Sequence, residues 1–87
     1  MTMLIDVRTP GEYAGGYLPG AVNVPVEDIA EGRLGALASV SKDTPLQVYC
    51  RSGARSRYAA AFLAEAGFED ITDLGGLHDA AAALGQR

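Results

Sequence analysis

No stretch of this sequence approaches the roughly 20 consecutive apolar residues that a membrane helix requires, although apolar residues make up 48% of it. They come in short runs, which excludes a helical membrane span and points to several small buried elements. Cysteine occurs once and histidine once, so the chain can form no internal disulfide and assemble no structural zinc site. Basic side chains are scarce, seven against eleven acidic ones, for a formal net charge of -4. Nucleic acids and anionic membranes reward a basic surface, so neither is an expected partner. No basic segment followed by an apolar run opens the chain, since Met1 leads within five residues to the acidic Asp6. The expected compartment is the cytoplasm, or the periplasm if a leader has been removed. With 87 residues, the span 1–87 is expected to form one domain, because two cores would each be too small to offset chain entropy.

What is present alternates. Leu4, Ile5 and Val7 read as a buried strand closed by the turn-prone Thr9-Pro10-Gly11. Thr9 fits the N-cap and Pro10 the first turn of a short helix through Glu12 and Tyr13, which Gly15-Gly16 ends. Ala21 to Val24 reads as a second strand between Pro19-Gly20 and Pro25. Val26 to Leu37 suggests one helix, or two short ones interrupted near Gly32. Leu46, Val48 and Cys50 alternate with Gln47 and Tyr49, so a third strand runs into Cys50. Ser56 to Ala66 has helical spacing and stops at Gly67. Ile71 to Leu74 is a fourth strand, Gly75-Gly76 a turn, and Leu77 to Leu84 a last helix. Strand alternating with helix implies an α/β fold with a parallel sheet, because parallel neighbours need a crossover. In such sheets the reactive crevice lies beyond the carboxyl ends of the strands, where Cys50 falls.

The residues around Cys50 are unusual for an acidic chain. Arg51, Arg55 and Arg57 are three of its seven basic residues, gathered beside its only thiol. Ser52, Gly53 and Ala54 are small and join a strand to a helix, so successive backbone N–H groups can turn inward and form a nest for negative charge. A cysteine there has a lowered pKa, which makes Cys50 the candidate nucleophile. Arg51, Ser52, Gly53, Ala54, Arg55 and Ser56 are the candidate anion-binding loop. A reactive cysteine is expected to be partly exposed; the alternative is a small core residue at a strand end. Ser56 reads equally as a hydroxyl donor to the loop and as the cap of the following helix. Arg57 is left off the site, since on a helix it can point away and pair with Glu65 or another acid. No metal or organic cofactor is called for.

Four segments, Asp6-Val7-Arg8-Thr9-Pro10-Gly11-Glu12-Tyr13, Gly16 to Pro25, Cys50 to Ser56 and Leu74-Gly75-Gly76, resemble in order and spacing the motifs of the rhodanese homology domain. The likeness is to its small single-domain members of the phage-shock type. It implies a three-layer α/β/α fold around a parallel sheet of about four strands, since the chain begins at the aspartate-bearing strand. It also implies sulfur transfer through a Cys50 persulfide. The donor would be thiosulfate or a similar anion, and the acceptor cyanide, a small thiol or a sulfur-carrier protein. Asp6, Arg8 and Glu12 match residues whose family role is chiefly structural, and an Arg8–Glu12 ion pair fits one helical turn.

Tyr17 stands where many relatives have histidine, and Leu77-His78 follow the glycines where larger relatives often carry an aromatic. His78 reads as a surface or capping residue. Two other readings stay open: a non-catalytic binding or regulatory module, and a cysteine-dependent phosphatase or arsenate reductase. Phosphatase loops of this fold carry arginine at the sixth position after the cysteine; here Arg55 is fifth and Ser56 sixth.

Overall fold

The computed structural model describes residues 1–85, so the expected domain span 1–87 includes two residues outside those described. Its core is a parallel sheet of four strands, β1 (Met3–Asp6), β2 (Val22–Asn23), β3 (Leu46–Tyr49) and β4 (Ile71–Asp73), in the order β2-β1-β3-β4. Each crossover carries helix: α1 (Pro10–Ala14), then α2 (Val26–Ala30) with a 3-10 turn at Gly35–Leu37, then α3 (Ala54–Glu65). Helix α4 (Leu77–Ala83) follows the last strand.

Strand alternation divides the apolar residues between two faces. Ile5, Val7, Val48 and Cys50 point to one side and pack with Ile29, Leu37, Ala59 and Leu63 beneath α2 and α3. Leu4 and Tyr49 point to the other and pack with Tyr13, Leu18, Ala80 and Leu84 around α1 and α4. The result is the expected three-layer α/β/α arrangement.

Several boundaries differ from the sequence reading, each for a local reason. The Ala21 N–H bonds back to the Leu18 carbonyl at 3.0 Å, so Ala21 closes a turn and β2 keeps only two residues. The segment from Val26 takes the two-piece alternative, broken at Gly32, whose φ of 82° is left-handed. Strand β3 ends at Tyr49, one residue short of Cys50. Helix α3 begins at Ala54 instead of Ser56, because Gly53, with φ of 99°, turns the chain straight into the helix. Ser56 is therefore in the first turn of α3 and not its cap.

Candidate active site

The Cys50 loop is held by the turn after β4. The Cys50 N–H donates to the Gly75 carbonyl at 3.0 Å, and the Leu77 N–H donates to the Arg51 carbonyl at 3.2 Å. Ser52 and Gly76 form an antiparallel bridge. The two glycines permit this close approach. Gly75 has φ of 83°, and a Cβ on Gly76 would stand 2.7 Å from the Arg51 carbonyl oxygen. Glycine pairing after a short strand was legible as a motif; its use as the loop's wall was not.

Within the loop the Gly53 N–H donates to Cys50 Sγ at 2.9 Å. Burial pushes the Cys50 thiol up, but the Ser56 backbone and side chain, then the Gly53 and Ser52 amides, outweigh it and hold the pKa below its ordinary value. The Ser56 hydroxyl donates to the Gly53 carbonyl at 3.1 Å, and it stands 3.5 Å from the Gly75 carbonyl. The hydrogen bond that reaches Sγ is that of Gly53, which the Ser56 hydroxyl holds through its carbonyl.

One expectation is corrected. Cys50 is 0% exposed, not partly exposed. Its side chain shares a face with Val48 and joins the core under α2 and α3 while the loop backbone folds over it. Ser56 is also wholly buried, and Arg51, Ser52 and Ala54 are exposed.

The charged residues pair differently from the expected Arg8–Glu12 contact. Arg8 lies against Asp6, with Nη2 donating to Asp6 Oδ2 at 2.6 Å and Nε reaching both carboxylate oxygens at 3.0 Å. Arg8 Nη2 also donates to the Gly16 carbonyl at 2.6 Å. The Tyr49 hydroxyl donates to Asp6 Oδ2 at 2.8 Å and accepts the Leu18 N–H at 3.1 Å. Burial together with this Asp6 hydrogen bond raises Tyr49 to about 12, against a smaller downward pull from Leu18, so it stays a hydroxyl. Asp6 and Arg8 thus tie the loop before β2 to the strand that delivers Cys50, which is a structural role.

Glu12 turns the other way. Its carboxylate accepts two hydrogen bonds from Arg55, at 2.6 and 3.0 Å, and also the Thr9 N–H at 3.1 Å in a capping box. The Arg55 hydrogen bond, then the Thr9 backbone, holds Glu12 down at about 2. Arg55 is raised first by Glu12, and the nearby Cys50 charge adds to that. The structure therefore brings Cys50, Gly53, Arg55, Ser56 and Glu12 together. Arg57 is exposed and has no ion pair among the described residues.

A parallel α/β domain with one thiol at the carboxyl edge of its sheet, under an amide-rich loop, is the class that fold and site define. A family model described as Rhodanese-like domain matches residues 1–83, and the chain belongs to that family. It is 38% identical to a sulfurtransferase of Allochromatium vinosum over 85% of this chain and 65% of the relative. It is also 38% identical to thiosulfate sulfurtransferase PspE of Escherichia coli, over 88% of this chain and 72% of PspE. The chain thus spans about two thirds of the length of these relatives. Among solved structures, the rhodanese-like domain of Anabaena Alr3790 superposes with a TM-score of 0.83 at 30% identity, covering 100% of this chain and 97% of that one. A rhodanese with anions from E. coli gives 0.79 at 34% identity over 91% of both chains. No helix among the described residues is long and apolar enough to cross a membrane.

Proposed function

We propose that this chain, acting as one domain over 1–87, is a sulfurtransferase. Cys50 would carry sulfane sulfur from thiosulfate or a similar anion to a thiophilic acceptor such as cyanide, a small thiol or a sulfur-carrier protein. The observation that carries this reading is the position of the only thiol in the chain. It receives the Gly53 amide at 2.9 Å and is held below its ordinary pKa. The names of the relatives support it at the level of the family. The Cys50 thiolate attacks the outer sulfur of thiosulfate, and the S–S bond breaks with its electron pair leaving on sulfite. Cys50 then bears a persulfide anion, for which the loop amides and Arg55 are suitable partners. Attack by the acceptor on the outer sulfur returns an electron pair to Sγ. Charge balances at each step, and neither step calls on a cofactor.

A second reading, a non-catalytic binding module, draws on the complete burial of Cys50. Intact mass spectrometry separates the two. Thiosulfate should add one sulfur atom to the protein, cyanide should remove it as thiocyanate, and Cys50→Ser should do neither. Steady-state kinetics should be ping-pong, since donor and acceptor use one site in turn. If the wild-type protein never gains the mass without reducing agent present, the sulfurtransferase reading falls and the binding module stands.

A further inference from the structure

Cys50 is wholly buried, yet sulfur transfer needs its Sγ to meet a sulfur atom of another molecule. Part of the wall around it must therefore move. That wall is made by the Cys50 loop, by α3, and by α2, whose Val26 and Ile29 pack in the same cluster as the thiol.

These elements are held unequally. The loop is pinned: the Cys50 and Leu77 N–H groups tie it to the turn after β4 at 3.0 and 3.2 Å, Ser52 bridges to Gly76, and the Ser56 hydroxyl fastens Gly53 to α3 at 3.1 Å. Helix α3 has 12 residues and buries Ser56, Ala59 and Leu63. Helix α2 has only five residues, and Ile29 alone among them is buried. Helices shorter than about 12–15 residues are marginal in water, so α2 persists by the packing of that side chain and by the Val26 N–H to Val7 carbonyl bond of 3.0 Å. Its N-terminus carries no side-chain cap, and the chain leaves it through the exposed, left-handed Gly32.

The weakest element also stands in the right place. Because α2 follows β2, its first turn lies at the carboxyl edge of the sheet, as Cys50 does. Arg55, raised first by Glu12, is raised further by both Cys50 and Glu27, so the first turn of α2 faces the start of α3 beside the thiol.

We propose that α2 is a gate over Cys50: its local unfolding opens the Val48 face of the sheet at the sulfur, and its refolding closes the site again. Its purpose rests on the sulfurtransferase reading, since a closed site shields a persulfide from water and stray thiols. The gate itself acts on any reagent. A neutral alkylating agent reacts at the rate of the free thiolate multiplied by the fraction of time α2 is open.

The test compares iodoacetamide alkylation of the folded chain with that of the urea-unfolded chain, at a pH where the thiol is ionised, and follows native-state hydrogen exchange in parallel. The folded chain should react about 10- to 1,000-fold more slowly, the inverse of a minor state populated at about 0.1–10%. Low urea should change that rate with a slope well below that of global unfolding. The Val26, Ile29 and Glu31 amides should open with the same equilibrium constant as the thiol, while the Cys50 amide, bonded to Gly75, stays more protected. Ile29→Val should raise thiol alkylation and the exchange of those α2 amides together by about 2- to 10-fold. A folded chain that reacts as fast as the unfolded one overturns the gate. So does a thiol that opens together with the Cys50 amide, or one whose alkylation rate is the same in Ile29→Val. If the gate passes these tests and thiosulfate adds no sulfur by intact mass, the gate stands and the sulfurtransferase reading falls.

Discussion

Glu12 holds Arg55 by two hydrogen bonds, of 2.6 and 3.0 Å, across 43 positions of sequence. The pair fixes the guanidinium next to the thiol and at the same time neutralises it. Glu12→Gln should therefore leave Arg55 in place with its charge uncovered, since glutamine also serves a capping box. The thiosulfate KM should fall about threefold, as expected for a modest gain in attraction for a dianion at a partly exposed site, and alkylation should show a lower Cys50 pKa. A higher KM would mean that the anchor matters more than the charge.

The same pair gives a pH dependence. The Arg55 guanidinium and the Thr9 N–H hold Glu12 down at about 2 in the folded chain, against 4.5 for an ordinary glutamate. A depressed carboxyl contributes stability that is fully present above the unfolded value and is lost as pH falls through the folded one. Wild type should therefore exceed Glu12→Gln in urea resistance above pH 4.5, and the gap should close between there and about pH 2. A gap unchanged at pH 2 would show that the Glu12 charge does not stabilise the fold.

The Cys50 thiol should react with iodoacetamide along a titration curve displaced below that of an ordinary cysteine, the direction set by its loop. Ser56→Ala should move the inflection upward, because Ser56 contributes to the lowered pKa and its hydroxyl holds the carbonyl of Gly53, whose N–H reaches the sulfur. The buried hydroxyl also makes a hydrogen bond worth about 0.5–1.5 kcal/mol, and urea denaturation should report a loss of that order. An unshifted inflection would assign the lowered pKa to backbone amides alone.

Tyr49 and Cys50 are neighbours in sequence and face opposite sides of the sheet, so their roles should separate. Tyr49→Phe removes the hydroxyl that donates to Asp6 at 2.8 Å and accepts from Leu18 at 3.1 Å. The stranded Leu18 N–H and the weakened Asp6 site should cost about 1–3 kcal/mol in urea titration. Sulfur transfer at a permissive temperature should stay within a few-fold of wild type. A collapse of turnover without loss of stability would instead make Tyr49 part of the chemistry.

How far the sequence carries depends on the range of the interaction. Alternation of Leu46, Val48 and Cys50 against Gln47 and Tyr49 sorts the two faces of β3 correctly, because side-chain direction in a strand is a local property. The Thr9 cap, Pro10 and Glu12 mark α1 for the same reason. The partner of Glu12 was not legible. One helical turn favoured Arg8, yet Arg8 turns back to Asp6 two residues away and Glu12 meets Arg55 on α3. Burial of Cys50 was legible only as the alternative of a core residue at a strand end, since it depends on α2 and α3 packing over the Val48 face of the sheet.

That turn gives the most specific structural prediction. A methyl group on Gly76 would lie 2.7 Å from the Arg51 carbonyl oxygen and 3.3 Å from the Arg51 and Ser52 carbonyl carbons. All three are backbone atoms, so no side chain can swing aside, and either the loop or the turn must shift. Gly76→Ala should cost about 1–3 kcal/mol of stability, the range for overpacking. It should also displace the Leu77 N–H to Arg51 carbonyl bond of 3.2 Å, and with it the loop beside Cys50. Displacement of about 1 Å in a reacting site can cost on the order of 100-fold in rate, so turnover should fall well beyond the unfolded fraction. Gly11→Ala is the control for stability, since its methyl would meet nothing within 4 Å and a helical alanine should raise the melting temperature. If Gly76→Ala folds as stably as wild type and transfers sulfur at the same rate, the Gly75-Gly76 turn does not govern the loop.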